Sequence, residues 1–429
     1  MLPSPAGTGA GACMSLSKAG LLFVVFVDVL GQGLIFPIIV TLLASPEAGF
    51  LPAGTSQEAR QHYYGVTIGT FFLAWFLGAV YISRLSDSIG RKRGILVCLS
   101  GAMAGYVLTI MALAWGSLWL LVLGRAITGF TAGNQPIAQA AMADLSRNDA
   151  EKSRNMGYVV AAMSLGLVGG PLIGGLLSDR DLLGGLASVS LPFYAAMALV
   201  ALAAGLIALF FEERSTERAP LDIKPLEVFR LMWRITEKPT VFRLSLVFFF
   251  YMTVSTAFYV FMDDYLSRQF GLGTFGTSMA MLLFGAALAL SGAALVAPAN
   301  ARFSRAAIVC GAAVAMACAG ALFAATDSIV VTFLAIVPFG MAWGIGYPTF
   351  LGIYSSSVDA SEQGWVMGVS TALFTLSAGL VSLIGGSLTA LDIHAPFLVV
   401  GASAVVTVVL VATLWRRPDM WRLTARQKA

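Results

Sequence analysis

Long apolar stretches are the feature of this sequence that most limits the folds open to it. A helix needs about 20 mostly apolar residues to cross a membrane, and twelve such stretches are separated by short polar breaks. The predicted spans are 19–43, 64–84, 95–115, 117–143, 155–178, 190–211, 241–265, 275–297, 306–325, 329–355, 364–388 and 396–415. Only 11% of the residues are charged, against about 25% in an ordinary soluble domain. The sequence therefore predicts an all-α membrane protein with twelve transmembrane helices.

The longest polar insertion lies between the sixth and seventh spans and divides the chain into two halves. The predicted organisation is a tail (1–18), a six-helix bundle (19–211), a linker (212–240), a second six-helix bundle (241–416) and a second tail (417–429).

Basic residues indicate how the spans are oriented, because Lys and Arg are retained on the cytoplasmic side of a membrane. With the N-terminus inside, 22 of the 26 Lys and Arg residues fall in cytoplasmic segments, and only Arg60, Arg180 and Arg268 fall outside. The remaining one, Arg125, lies within a span. The N-terminus lacks the basic region of a signal peptide. We therefore expect a multi-pass protein of the cell inner membrane, with both termini cytoplasmic and the first span retained.

The two halves are related by an internal repeat with a fixed offset of 211 residues. At this offset Gly129 meets Gly340, Glu151 meets Glu362, and the LIGG that ends at Gly175 meets the LIGG that ends at Gly386. Both halves begin on the same side, so the predicted bundles are parallel repeats about an axis along the membrane normal.

The loop after the second span reads SRLSDSIGRKRGIL. It is consistent with a basic surface anchor that also caps a helix. It also resembles the signature loop of the major facilitator superfamily, roughly G-x-L-x-D-x-x-G-R-[KR], although Ser83 replaces the usual Gly. The matching residues are Asp87, Gly90, Arg91 and Lys92. The resemblance implies a gating loop whose acidic residue contacts the other half and closes the cytoplasmic side.

Two opposite charges lie deep within the first half. Counted at about 1.5 Å per residue, Asp28 in span one and Arg125 in span four both lie near mid-bilayer. One interpretation is an ion pair that only holds the two spans together. The other is proton coupling, because an ionisable residue inside a span is costly and usually functional. Solvation and nearby charge both alter the proton affinity of a carboxyl group, so a change in access could switch the charge on Asp28.

Span five reads SLGLVGGPLIGGLLS, a G-x-x-x-G-P-x-x-G-G pattern. Its small residues are Gly166, Gly170, Gly174 and Gly175, with Pro171 among them. Such a face permits close helix packing within one half. The pattern also resembles the signature of superfamily exporters, and we expect it to pack between the halves, against span eight.

Together with DxxGxG…P in span one and RxxxGxxxG in span four, this pattern resembles the twelve-helix drug:proton antiporter family, including its tetracycline-exporter branch. The resemblance is strongest over residues 28–175. It implies alternating access, with proton entry driving substrate export. The second half departs from the first, because Ile336 stands where the repeat places Arg125.

Candidate substrate contacts follow from helical periodicity of 100° per residue. This places one polar residue on the Asp28 face of span one and two near Arg125, while aromatic residues of spans seven and ten could form the opposite wall; each could equally be a packing residue. The candidates are Gln32, Gln135, Gln139, Tyr251, Tyr259, Trp343 and Tyr347. Asp263 and Asp264, near the outer end of span seven, are either solvated loop charges or groups that attract cations.

Several function classes are disfavoured by the sequence. It contains no nucleotide-binding P-loop, catalytic-triad spacing or metal-ligand cluster, so we expect no enzyme activity and no cofactor. The formal charge of +4 does not argue for a nucleic acid partner. The expected partners are protons, a small-molecule substrate and the lipid bilayer, and the chain is expected to act as a monomer.

Three functional hypotheses remain. The first is a proton-coupled exporter of a small amphipathic or cationic compound, favoured by the span-five pattern. The second is a proton symporter or facilitator that imports a polar metabolite. The third is a membrane receptor or scaffold, which would need neither deep opposite charges nor a gating loop.

Overall fold

A computed structural model describes residues 6–45, 48–146, 148–213, 226–359 and 362–425. Its first half contains the helices α1 (Ala6–Ile39), α2 (Gln57–Ile89), α3 (Arg91–Trp115), α4 (Leu118–Phe130), α5 (Asn134–Asp144), α6 (Asp149–Ser178), α7 (Arg180–Leu183) and α8 (Leu191–Phe210). A π-helical turn, Val40–Ala44, follows α1, and a 3₁₀ turn, Gly184–Leu186, follows α7.

The linker and the second half contain nine helices in the part of the chain that is described. They are α9 (Glu227–Trp233), α10 (Pro239–Phe270), α11 (Thr274–Ala294), α12 (Val296–Arg302), α13 (Arg305–Ala325), α14 (Ile329–Ser356), α15 (Gln363–Leu391), α16 (Ala395–Leu414) and α17 (Pro418–Thr424). A 3₁₀ turn, Arg234–Glu237, joins α9 to α10. The predicted tails 1–18 and 417–429 overlap α1 and α17.

Eleven of these helices are long and apolar enough to cross a membrane, and they correspond to eleven of the twelve predicted spans. The prediction of one continuous helix over 117–143 is wrong, because span four is divided into α4 and α5. The chain leaves the helix at Thr131 and re-enters it at Asn134. Pro136 lies in the first turn of α5, and proline has no N–H to donate to the carbonyl four residues earlier, so a continuous helix would lose that bond.

The start of the first span, the linker helix α9 and the helix α17 lie at one end of the bundle. Lys18 of α1 pairs with Glu151 at 2.6 Å, and Arg243 of α10 pairs with Asp419 of α17 at 2.5 Å. We call this the inner end of the molecule and the opposite end the outer end.

The internal repeat is visible in the contacts of equivalent residues. Glu151 binds Lys18 near the start of its own half, and Glu362 binds Lys238 just before α10. Gly129 packs on the backbone of Phe71, and its equivalent Gly340 packs on the backbone of Phe284. The duplication predicted from an ungapped 211-residue offset therefore corresponds to a repeated set of packing contacts.

The two halves meet mainly along α2 with α15 and α6 with α11. Equivalent glycines make both contacts close: a β-carbon on Gly386 would lie 2.7 Å from the Gln61 carbonyl, and one on Gly175 would lie 2.6 Å from the Ser278 hydroxyl. Four hydrogen bonds between described residues join the halves, all toward the outer end. They are Thr41–Thr274, Gln61–Asp264, Tyr64 to the Val260 carbonyl and Thr389 to Gln61. The structure is therefore a form closed at its outer end.

Candidate functional site

The break between α4 and α5 places a polar side chain beside Asp28. Asn134, the first residue of α5, donates its Nδ2 hydrogen to Asp28 Oδ1 at 3.3 Å. Asp28 Oδ2 and Asn134 Oδ1 are buried without a hydrogen-bond partner. Gly31 lets the Tyr106 hydroxyl approach the backbone of α1 at this level, because any larger residue would overlap it. The Asp28 carboxyl thus has one amide partner and one unpaired oxygen.

Arg125 lies across the same cavity without forming an ion pair with Asp28 in the structure. Its guanidinium carbon stands 4.1 Å from the centre of the Phe71 ring, a cation–π arrangement. Its Nε is buried and has no hydrogen-bond partner. The interpretation of these two charges as an ion pair that holds spans one and four together is therefore not supported in this form.

The cavity between these groups is small. It is lined by Asp28, Gln32, Phe71, Tyr106, Arg125 and Asn134, among others, and its volume is about 30 Å³. That is room for about two water molecules, whereas a drug-sized ligand needs roughly 300–1,000 Å³. In this form the cavity can hold water beside the carboxyl, and it is too small to enclose a substrate.

The gating loop makes its contacts within the first half and with the linker. Asp87 pairs with Arg91 at 2.5 Å, and Arg91 Nε lies 3.9 Å from Asp144 at the end of α5. Gly90 has a φ of 101°, a conformation that suits glycine, and its neighbour's N–H donates to the Glu213 carboxylate. Lys92 is partly exposed at the start of α3. The predicted contact of Asp87 with the other half is not made in this outer-closed form.

The packing partner predicted for span five is wrong for most of its small residues. A β-carbon on Gly166 would lie 2.6 Å from the Phe26 carbonyl, Gly170 meets the Leu30 carbonyl, and Gly174 would stand 2.8 Å from the Leu34 carbonyl. Pro171 packs on Gly33. This face therefore packs against α1 inside the first half, because small residues every fourth position form one stripe and α1 covers it.

Only Gly175 of that set faces the second half, where it contacts α11. The residues of α6 near span eight include Leu167 and Val168, which pack around Gly285. Span eight does contact span five as predicted, but through a different face.

The predicted substrate residues fall into separate groups. Tyr259 and Trp343 lie together, with ring centres 6.1 Å apart, and Tyr259 also meets Phe36 of α1 at 5.0 Å. The indole Nε1 of Trp343 is buried without a partner. Gln32 lies one helical turn before Phe36 and lines the Asp28 cavity. These residues form a wall that crosses from the first half to the second.

The other candidates lie elsewhere. Tyr251 is fully buried within the second half and donates weakly to the Ala342 carbonyl at 3.4 Å, so its placement on the cavity wall is wrong in this form. Tyr347 is partly exposed and packs near Phe248. Gln135 and Gln139 are partly exposed on α5 and do not line the Asp28 cavity. Their predicted angle to Arg125 assumed an unbroken helix.

Sequence reasoning missed Asn134 and Tyr106 as neighbours of Asp28. The signal that could have found Asn134 is the run GFTAGNQP, since glycine and proline together in a span indicate a helix break. No comparable signal identifies Tyr106, because a lone tyrosine in a span is usually a packing residue.

Two packed helical halves, the first of which encloses a cavity with a buried carboxyl and a guanidinium, define a multi-pass membrane transporter. The chain belongs to the Major Facilitator Superfamily, whose family model matches residues 21–382.

Similar proteins agree with this assignment. The tetracycline resistance protein, class G, of Vibrio anguillarum is 30% identical over 367 residues, covering 83% of this chain and 86% of that protein. The class C protein of Escherichia coli is 29% identical over 368 residues. Among solved structures, the human organic anion transporter MFSD10 has a TM-score of 0.69 at 20% identity and covers 93% of this chain and 99% of its own. The similarity to MFSD10 shows that the two chains share a fold and shows nothing further.

Proposed function

We propose that this protein is a proton-coupled antiporter that exports a small amphipathic compound or drug across the cell inner membrane. The observation that carries the proposal is the Asp28 carboxyl, which borders a cavity with room for water and has one unpaired oxygen. A carboxyl group in such a place can gain and lose a proton as access to water changes. Asn134 donates a hydrogen bond to one oxygen of Asp28. Arg125 places a positive charge on the same cavity, and its solvation changes with the same access to water.

The direction of transport is inferred from the relatives. Proteins of about 30% identity over most of the chain carry the name tetracycline resistance protein, and a transporter protects a cell from a drug by lowering its internal concentration. The NorA protein of Staphylococcus aureus, a quinolone resistance protein, is 25% identical over 231 residues. An amphipathic substrate also suits the Tyr259–Trp343 wall, because aromatic faces bind apolar rings and cations.

The alternative is a symporter or facilitator that imports a polar metabolite. The D-xylose-proton symporter has the same fold, with a TM-score of 0.69, but only 14% identity. This likeness concerns fold alone, so it does not favour import over export.

The positive-inside pattern supports an arrangement with the inner end in the cytoplasm. We propose the same orientation for the gating loop and the linker, which lie at that end. The proton gradient would supply the energy, with no cofactor, and each chain would act as a monomer with its own pathway.

Transport in inverted membrane vesicles tests both the coupling and the direction. With an acidic vesicle interior, protons flow outward, so an antiporter accumulates substrate inside and a symporter empties preloaded substrate. We expect accumulation of at least one compound in a screen of tetracyclines, quinolones and other amphipathic drugs. Asp28→Asn should bind that compound but lose accumulation, because an amide does not exchange a proton.

The matched control is Asp359→Asn, which removes an exposed carboxyl at the inner end and should leave accumulation unchanged. Uphill accumulation by Asp28→Asn would remove Asp28 from the coupling. Proton-driven loss of preloaded substrate would support the import alternative instead.

A further inference from the structure

Two neighbouring carboxylic residues of α10 are buried at the closed outer end. Asp263 is 0% exposed and Asp264 is 1% exposed. Asp264 lies in the contact between the halves. Neither carboxyl lines the Asp28 cavity, and the function proposed above uses neither. Their burial rules out one of the two alternatives left open by the sequence, namely that they are solvated loop charges.

Asp264 holds the two halves together through hydrogen bonds. Its Oδ1 accepts from Gln61 Nε2 of α2 at 3.0 Å, and Gln61 Oε1 accepts from the Thr389 hydroxyl of α15 at 3.2 Å. Arg268 lies 3.5 Å from Asp264 Oδ2 and also donates to the Thr389 carbonyl at 3.1 Å. Asp264 therefore has an amide and a guanidinium to balance a negative charge.

Asp263 has no such support. Both of its oxygens are buried without a hydrogen-bond partner in the described part of the chain. An isolated carboxylate in an apolar environment is strongly destabilised, and the adjacent Asp264 adds repulsion between like charges. Burying Asp263 here costs far less as the neutral acid, which carries a proton, than as the carboxylate.

We propose that Asp263 is a second proton-binding site, filled from the outer side, and that its protonation permits the outer end to close. When the outer end opens, the Gln61–Asp264 bond between the halves breaks and water reaches both carboxyls. The Asp263 carboxylate then takes one proton from this water before α2 and α15 close over α10. The proposal concerns the outer closure and does not depend on the role of Asp28.

Other charged or titratable groups near the pair are already accounted for. The Tyr64 hydroxyl of α2 donates to the Val260 carbonyl at 2.5 Å, and Arg60 donates to backbone carbonyls of the preceding loop. Tyr259 packs against Phe36. Beyond α15, Asp392 pairs with His394 at 2.8 Å, and Asp327 accepts from Gln269. The described neighbours therefore include no base that pairs with Asp263.

The sign of the pH effect follows from proton counting. The outer-closed form binds one more proton at Asp263 than the outer-open form, so acid favours closure and alkali favours opening. Linkage of one proton changes the ratio of closed to open molecules by at most about tenfold per pH unit.

Spin labels on the outer ends of the two halves can measure this ratio. The label positions are Glu58→Cys on α2 and Leu391→Cys on α15, both exposed, in a chain whose Cys13, Cys98, Cys310 and Cys318 are replaced by alanine. Distance distributions are recorded in lipid nanodiscs between pH 5 and pH 9. We expect the long, outer-open distance to gain population as the pH rises.

Asp263→Asn should remain closed across this range, because asparagine is a permanently neutral analogue of the acid. The control Asp327→Asn changes an exposed outer carboxyl and should keep the pH response. The same response should persist in an Asp28→Asn background, which separates this site from the proposed coupling site. An unchanged response in Asp263→Asn, or a response that follows sodium concentration and not pH, would overturn the proposal.

A measurement on the unaltered chain covers the case in which Asp263→Asn fails to fold. A hydrophobic carbodiimide reacts with protonated carboxyls in apolar surroundings, and mass spectrometry of the α10 peptide locates the adduct. We expect modification of Asp263 at pH 6 that falls at least tenfold by pH 9. Equal modification at both values, or none at pH 6, would contradict a proton on Asp263.

Discussion

The side-chain amide of Asn134 makes the one hydrogen bond to the Asp28 carboxyl between described residues. Asn134 donates to Asp28 Oδ1 at 3.3 Å and Asp28 Oδ2 has no partner, and hydrogen bonds to charged groups contribute about 1.5–3 kcal/mol. We expect Asn134→Ala to slow proton-driven transport about tenfold or more while the chain still folds. Initial rates in vesicles across a range of pH check this, with Gln135→Ala as the control outside the cavity. Equal rates for both variants would show that the amide has no role.

For single residues, the sequence identifies the functional charged side chains well but identifies their neighbours in space poorly. Asp28 and Arg125 stand out because an ionisable residue in a span is costly, and both line one cavity. Asn134 and Tyr106 do not stand out, because their positions depend on how α1, α3 and α5 pack together. The burial of Asp263 and Asp264 was equally hidden, since a residue near the end of a span is covered or exposed according to the neighbouring helices.

The glycine stripe of α6 controls how closely this helix approaches α1. A β-carbon on Gly170 would overlap the Leu30 carbonyl, and overpacking a tight contact costs about 1–3 kcal/mol or more. We expect Gly170→Leu to lower the melting temperature and the yield of folded protein in detergent. Normal stability together with a proton leak would instead indicate a seal between the halves.

Gly175 lies on the same helix as Gly170 but at the contact between α6 and α11, so substitutions at the two glycines can be compared directly. A larger residue there meets Ser278 and Phe275 of the other half, whereas the first half can fold around it. We expect Gly175→Leu to keep folding and substrate binding but to hinder outer closure, so that transport falls at least tenfold. Distances between labels at the outer end should lengthen. A fully active Gly175→Leu protein would contradict this.

The difference between these glycines could not be read from the sequence. The pattern G-x-x-x-G-P-x-x-G-G predicts close packing correctly, but it does not state which neighbour covers each face. Similarly, hydropathy located the long spans, because twenty apolar residues have few alternatives to a membrane helix. It missed the break in span four, since a broken helix of apolar residues has the same hydropathy as a straight one.

The linker is tied to the second half by a charged clamp at the inner end. Arg234 donates to Glu362 at 2.6 Å, Lys238 also donates to it, and the Arg234 guanidinium lies over the Trp365 ring at 4.6 Å. The hydrogen bond from Lys238, aided by the charge of Arg234, holds the pKa of Glu362 below its ordinary value. The clamp is therefore fully formed above the ordinary pKa of a glutamic acid and is lost as the pH falls through the lowered value.

This clamp gives a prediction about linker motion. A spin label at exposed Glu237 should be restrained at neutral pH and should gain mobility only when the medium becomes strongly acidic. Glu362→Gln should make the label mobile at neutral pH as well. Its control is Glu151→Gln, the equivalent residue of the first half, which binds Lys18 of α1. Equal mobility in the Glu362 variant and the unaltered chain would show that the clamp does not restrain the linker.

The gating loop should act in the form that this structure does not show. Asp87 pairs with Arg91 of its own half at 2.5 Å while the outer end is closed. Removing the Asp87 charge should therefore change the free energy of the outer-closed form only slightly. If Asp87 contacts the second half when the inner end closes, as the family resemblance implies, Asp87→Asn should destabilise that form alone. Labels at exposed Arg93 and Gln363 report the inner-end distance, and we expect the long distance to gain population several-fold. Ser88→Ala, one residue along the loop, should leave the distribution unchanged. No change in Asp87→Asn would leave the loop as a surface anchor.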